Sequence, residues 1–154
     1  MNAASDHARR DSGAAVARLQ ARLGARVATS ASVRDQHSAG EGLRDRAPPD
    51  AVVYAESTAD VQAVLEVCHA TATPVIPFGA GTSLEGHLQA IHGGICLDLS
   101  RMNRVLAVSA EVLDCRVEAG VTREQLNAHV RDQGLFFPLD PGANATLGGM
   151  ACTR

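Results

Sequence analysis

An α+β fold containing an α/β unit is what the sequence predicts. Three features point to it: a strand–helix–strand stretch between Ala51 and Ile76, short strand-like segments after residue 94, and a glycine-rich loop just past the second strand. Ala51-Val-Val-Tyr-Ala55 is short, apolar and β-branched, as a buried strand should be. Ser57 is placed to cap the next helix, with Asp60 in the first turn, where the helix dipole favours a carboxylate. Val61, Val64, Leu65 and Cys68 recur at i, i+3, i+4 and i+7, which predicts the buried stripe of that helix. The helix should end before Pro74. Val75-Ile76 is then a second strand, expected to run parallel to the first because a helical crossover joins them.

Upstream, Val16, Leu19 and Leu23 fall at i, i+3 and i+7 and predict a helix over 14–23 that Gly24 stops. Residues 1–13 are small and polar and are expected to fray. Residues 25–50 lack periodicity, carry Arg34, Asp35, Glu41, Arg44, Asp45 and Arg46, and end in Pro48-Pro49, so they read as an irregular arm. The chain therefore divides into an N-terminal helix and arm, 1–46, and a compact domain, 47–154. Within that domain, 95–99 (with polar Asp98), 105–108 and 114–118 are further strands, the last two joined through Ser109–Glu111. Thr122-Arg-Glu-Gln125 has the form of a capping box, Thr122 as N-cap and Gln125 reaching back. The helix after it turns Leu126 and Val130 inward and stops at Gly134. Leu135-Phe-Phe137 then leads into a second unusual loop, Pro138-Leu-Asp-Pro-Gly-Ala-Asn-Ala-Thr-Leu-Gly-Gly149.

Composition narrows the chemistry. The 154 residues are 45% hydrophobic and 20% charged, with a net charge of −3, and all 14 basic residues are arginine. Without lysine there is no P-loop lysine and no pyridoxal Schiff base. Without a basic stripe there is no support for nucleic-acid binding. Cys68, Cys96, Cys115 and Cys152 are scattered, form no CxxC pair and are read as buried free thiols. His37, His69, His92 and His129 show no metal-ligand spacing and are read as surface or structural residues, so no metal site is expected. No apolar run reaches the length of a membrane span. Asp6 and Asp11 among the N-terminal arginines argue against a transit peptide. A cytoplasmic location follows as the expectation, with peripheral membrane contact left open.

The first glycine loop, Pro74 to Gly86, holds Gly79, Gly81 and Gly86 and no Lys or Arg. Consecutive backbone N–H groups in such a loop can form a concave donor nest for an anion. The dinucleotide motif G-x-G-x-x-G fails at Leu84, and the Walker motif fails at His87 and Leu88, where lysine and a hydroxyl are required. Taken alone, the loop reads either as a diphosphate cradle or as a tight structural turn.

Four separated motifs in order settle what the sequence resembles: Pro77-Phe-Gly-Ala-Gly-Thr-Ser-Leu-Glu-Gly86, Gly120-Val-Thr-Arg123, Phe137-Pro-Leu-Asp-Pro-Gly142 and Thr146-Leu-Gly-Gly-Met150. From about Pro49 to Arg154 the chain resembles the FAD-binding domain of the vanillyl-alcohol-oxidase (PCMH) type of flavoprotein, in the branch of D-lactate dehydrogenase and the flavin-binding component of glycolate oxidase. The resemblance implies a small parallel sheet with helices, packed beside an antiparallel sheet. It implies that Gly79, Ala80, Gly81, Thr82 and Ser83 cradle the FAD pyrophosphate. Asp140, Pro141, Gly142, Thr146, Gly148 and Gly149 would wrap the flavin. Relatives that attach flavin covalently through this loop carry a histidine nearer the position of Thr82, so a noncovalent FAD is implied, with His87 a loop residue beside the cofactor. Glu85 reads as a solvated or turn-stabilising carboxylate, Asp98 and Glu118 as strand-edge residues, and Arg123 as an exposed first-turn residue.

Members of that family continue well past the point matching Arg154, so the chain is expected to be a C-terminally incomplete FAD domain without the substrate-binding cap. No catalytic residue is assigned. The expected function is the FAD-binding portion of a flavin-dependent 2-hydroxyacid dehydrogenase that oxidises the substrate α-carbon, taking a small 2-hydroxyacid in the complete enzyme. The alternative is a non-catalytic fragment that binds flavin or a partner chain without turnover.

Overall fold

A computed structural model describes residues 12–41 and 45–153. The elements in order are α1 (Gly13–Leu23), β1 (Val27–Ala28), α2 (Ala31–Gln36), β2 (Ala51–Tyr54), α3 (Thr58–Ala70), β3 (Val75–Phe78), β4 (Ile95–Asp98), β5 (Val105–Ser109), β6 (Asp114–Val117), α4 (Arg123–Val130) and α5 (Leu147–Thr153). They build two sheets: a four-stranded one of order β1-β2-β4-β3 and a β5–β6 hairpin. This is the α+β arrangement expected. The expected fraying of 1–13 falls largely outside the described residues.

β2 and β3 are parallel, but they do not touch. β4 lies between them and pairs in parallel with both, Ile95 opposite Ala51 on one side and Val75 on the other. The helical crossover α3 therefore spans the width of the inserted strand. Asp98, expected at a strand edge, is in the central strand and only 4% exposed.

Side chains alternate across the sheet. Ala51, Val53, Ile95 and Leu97 face the main core with Leu19 and Leu23 of α1, Val27 of β1, and Ala63, Val64 and Cys68 of α3. The buried face of α3 is rotated from the one expected: Ala63 is buried with Val64 and Cys68, Val61 is partly buried, and Leu65 is 49% exposed. α1 packs against α3 and selects this face, so the small Ala63 takes the inward place that the spacing gives to Leu65. The Ser57 cap forms, its side chain accepting from the Asp60 N–H at 3.2 Å. Asp60 does more than complement the dipole. Its carboxylate accepts from the Glu56 N–H at 3.0 Å and from Arg26 Nη1 at 2.7 Å, which ties the end of α1 to the start of α3.

The stretch 25–50, read as an irregular arm, contains β1 and α2. β1 is two residues long and exists because it pairs antiparallel with Val52 and Val53 of β2, a contact no local pattern encodes. Past α2 the chain is stitched to the sheet through Ala47 N–H to Ser38 O at 3.0 Å, and Ala90 N–H to Ala47 O at 2.9 Å.

The second, smaller core holds Val121, Leu126 and Val130, flanked by Val105, Val108, Val117, Leu135 and Phe137. Thr122 caps α4, accepting from the Gln125 N–H at 3.2 Å. The capping box is only half made: Gln125 donates instead to Asn103 O at 2.6 Å, which pins α4 to the start of the hairpin. Gly134, at φ +70°, ends that helical stretch in the left-handed region.

Candidate functional site

The carboxyl ends of parallel strands are where open α/β sheets place ligands. β3 ends at Phe78, and the chain turns at once into the 79–83 loop. Gly81 has φ +72°, and a Cβ there would sit 2.7 Å from Phe78 Cζ. A Cβ on Gly79 would overlap Thr146 Oγ1. Both positions therefore need glycine, one for backbone conformation and one for close approach of the two loops. Among the described residues, the backbone N–H groups of Ala80, Gly81, Thr82 and Ser83 have no protein acceptor. Four successive free donors in a turn form an anion nest.

The second loop is held by its backbone. Arg123 N–H donates to Ala145 O at 3.0 Å, Leu147 N–H to Val121 O at 2.8 Å, and Gly148 N–H to Ala119 O at 2.9 Å. Thr146 pairs with Thr122 across an isolated bridge, and its Oγ1 accepts from the Gly149 N–H at 3.2 Å. A Cβ on Gly148 would come within 2.7 Å of the Ala119 carbonyl oxygen, so glycine permits that seam. Asp140 accepts from the Gly142 N–H at 3.0 Å and lies 3.4 Å from Arg123 Nη1. Arg123, read as exposed, is 21% exposed in its side chain.

The two loops enclose a cavity of about 370 Å³, within the span of small-molecule sites, about 300–1,000 Å³. Gly79, Ala80, Gly81, Thr82 and Ser83 line it from one side, and Pro141, Thr146, Gly148 and Gly149 from the other. Asp140 and Gly142 do not line it. The carboxylate of Asp140 is turned back into its own loop and toward Arg123. The lining also includes Phe78 and Met150, which belong to the quoted motifs, and Leu88, Leu99 and Ala119, which had no expected place beside a ligand. Leu99, expected within the strand, lies just past the end of β4; Leu88 and Ala119 arrive through tertiary contacts alone. His87 lines the cavity as expected of a loop residue there, and Cys152 lines it too. The expectation of four buried thiols is corrected: Cys68 and Cys96 are buried, Cys115 and Cys152 exposed. Burial pushes the Cys68 thiol up to about 11, which leaves it unreactive.

Donors free for an anion at one end and apolar walls from Phe78, Leu88, Leu99 and Met150 match a ligand with a diphosphate and a flat ring system. FAD has that chemistry, and the two loops fit it.

Beneath the first loop lies a buried ion pair. Tyr54, Asp98 and Phe78 end three neighbouring strands in register and point from the same face. His37, 6% exposed, sits over this row. Its Nε2 is 2.9 Å from Asp98 Oδ2 and its Nδ1 2.8 Å from Val33 O. Burial would lower the His37 pKa, but the bonds to Asp98 and Val33 outweigh it and raise the value. Burial likewise works against the Asp98 carboxylate, and the bonds from His37 and Ser100 outweigh it and lower its pKa.

Comparison with known proteins agrees with this geometry. Residues 49–154 match the model of the FAD binding domain family. The chain is 46% identical over 127 residues to a probable mitochondrial D-lactate dehydrogenase of Danio rerio, covering 82% of this chain and 26% of that one. It is 34% identical over 103 residues to the glycolate oxidase subunit GlcD of Bacillus subtilis, covering 66% of this chain and 22% of that one. An alkyldihydroxyacetonephosphate synthase structure superposes with a TM-score of 0.81 at 24% identity, over 92% of this chain and 32% of the other, which shows the shared fold. The chain thus spans about a quarter of the length of these curated relatives. With the match running across both glycine loops and the strands that carry them, the chain belongs to the FAD binding domain family, and FAD is its cofactor.

Proposed function

We propose that this chain is the flavin-holding portion of an FAD-dependent D-2-hydroxyacid dehydrogenase of the D-lactate or glycolate type. The observation that carries the reading is the run of free N–H groups from Ala80 to Ser83 in a cavity closed by the Thr146–Gly149 loop. In this reading Gly79, Ala80, Gly81, Thr82 and Ser83 hold the pyrophosphate, and Pro141, Thr146, Gly148 and Gly149 approach the flavin side. Asp140 and Gly142 shape the second loop from behind. Domain 47–154 forms the site, with the 1–46 segment as an arm packed on it. FAD, when bound, accepts the hydride removed from the hydroxyacid α-carbon. The relatives named for D-lactate dehydrogenase and glycolate oxidase support the substrate class. The flavin is noncovalent in this reading, since Thr82 stands near the position where relatives that attach flavin through this loop carry a histidine. A cytoplasmic setting belongs to this reading, with a mitochondrial one supported instead by the names of the D-lactate dehydrogenase relatives.

A second reading, flavin binding without turnover by this chain itself, is favoured by one feature. Among the described residues, the titratable side chains lining the cavity are His87 and Cys152, with no charged group to orient a hydroxyacid carboxylate. Purification followed by an absorbance scan and thermal unfolding with added FAD tests the cofactor site. A yellow protein, or one stabilised by FAD, is expected; a colourless protein with no gain in stability overturns both readings. Bleaching of the bound flavin by anaerobic D-lactate or glycolate then separates them: bleaching supports the dehydrogenase, its absence the binding-only reading.

A further inference from the structure

We propose that His37 is a positioning residue for the cofactor loop: held as an imidazolium between Asp98 and the Val33 carbonyl, it fixes the Phe78 ring against which Gly81 turns, so that the geometry of the 79–83 loop depends on pH. The inference rests on the reading of that loop as the FAD pyrophosphate cradle, and extends it to residues outside the cavity.

The protonation state follows from hydrogen-bond geometry. Both ring nitrogens of His37 lie within 2.9 Å of an oxygen, one a carboxylate and one a main-chain carbonyl. A carbonyl can only accept, and an ionised carboxylate can only accept, so both nitrogens must donate. A neutral imidazole has one N–H and would leave a buried acceptor facing a lone pair. Among the described residues, the other groups facing the ring add no second cation. From β2 comes Tyr54, edge-on at 5.9 Å between centroids. From β3 comes Phe78, tilted at 4.5 Å. From β4 comes Asp98, with Cys96 two residues earlier, its thiol kept protonated by burial. On α2, Arg34 donates to Pro49 O and Asp35 is paired with Arg46, so neither competes for His37.

The path to the loop is two contacts long. The His37 ring packs on Phe78, and the Phe78 ring fills the space against Gly81 that a Cβ would need. A second contact from the same segment supports the far end of the loop: Gly40 packs so closely on the Ser83 carbonyl that a Cβ there would overlap it. Loss of the His37 proton breaks one of its two hydrogen bonds and frees both the ring and the segment 37–40 that backs the loop.

Hydrogen exchange of the flavin-free protein provides the test, with protection of the 78–83 amides corrected for the pH dependence of intrinsic exchange. Protection is expected to fall about tenfold across the His37 titration, the size of one lost charge-assisted bond, while α3 amides hold. In His37→Gln it is expected to be low and flat with pH. Phe78→Leu, which leaves the ion pair intact, should also flatten the profile. The wild-type series requires no variant to fold. A 78–83 profile that is flat in wild type, or that keeps its slope in His37→Gln, overturns the proposal. FAD titrations on the same samples separate the two claims. Loop protection that titrates while FAD binds at no pH would sink the cofactor reading and leave the positioning role standing. FAD affinity that falls about tenfold in step with protection supports both.

Discussion

The half of the molecule built on β2, β4 and β3 and the half built on the β5–β6 hairpin and α4 hold the two walls of one cavity, yet they are made differently. Every residue of β4 is buried and β2 is buried at three of four positions, because helices cover one face and the chain around His37 lies over the other. In the hairpin, by contrast, β6 has no fully buried residue, and Leu106, Val112 and Leu113 are at least half exposed. The smaller half relies on three fully buried side chains and on main-chain bonds between the 119–123 and 145–148 segments. The contrast teaches where each wall gets its rigidity: the 79–83 loop from a packed core, the 145–149 loop from a backbone seam.

The sharpest way to break that comparison is to remove core volume. Ile95→Ala, at a position with no exposure, is expected to cost about 3–4 kcal/mol in urea unfolding. Leu106→Ala, at 50% exposure, should stay within about 0.5 kcal/mol. Equal losses would show that the hairpin is packed in ways its exposure hides. The buried ion pair provides a second, pH-dependent test. Asp98 is depressed below its ordinary 3.8, so its contribution is present above that value and disappears as acid titrates the folded carboxylate. His37 is raised above its ordinary 6.5, so its contribution is complete below that value and is lost as pH rises through the folded pKa. Thermal stability of the wild type should therefore decline relative to His37→Gln as pH rises above about 6.5; a constant difference would refute the assignment. A more local effect belongs to the seam. Thr122→Ala removes the α4 cap and is expected to cost about 1 kcal/mol, seen as faster amide exchange in α4 and 145–149 with β2 and β4 unchanged.

What the sequence made legible follows the same division. Helix caps at Ser57 and Thr122 and the stop at Gly134 were readable because capping is local. The glycine motifs were readable as motifs, and most of their residues converge on the cavity. What escaped depends on distant partners. β1 is a strand only because β2 is beside it. Asp98 looked like an edge residue because its partner, His37, lies 61 positions away. The α3 stripe was misplaced because Ala63, small and unremarkable in sequence, is what lets α1 pack closely. Asp140 sits in a cofactor motif, yet its carboxylate serves Gly142 and Arg123.

The insertion of β4 between β2 and β3 has a consequence for how the chain assembles. As the protein is synthesised, β2, α3 and β3 emerge before β4, but neither strand has a ladder partner in the other. Residues 79–83 leave the ribosome before the strand that will fix β3, and hence the start of the cradle, exists. Pairing across this gap is non-local and slow compared with helix formation. The first wall of the cavity is complete only once residues 95–98 join the two strands, with Asp98 bringing the partner for His37, and the second wall, which includes Thr146, Gly148 and Gly149, follows later in the chain. The central strand thus ties the start of the 79–83 loop to a pairing between segments far apart in sequence.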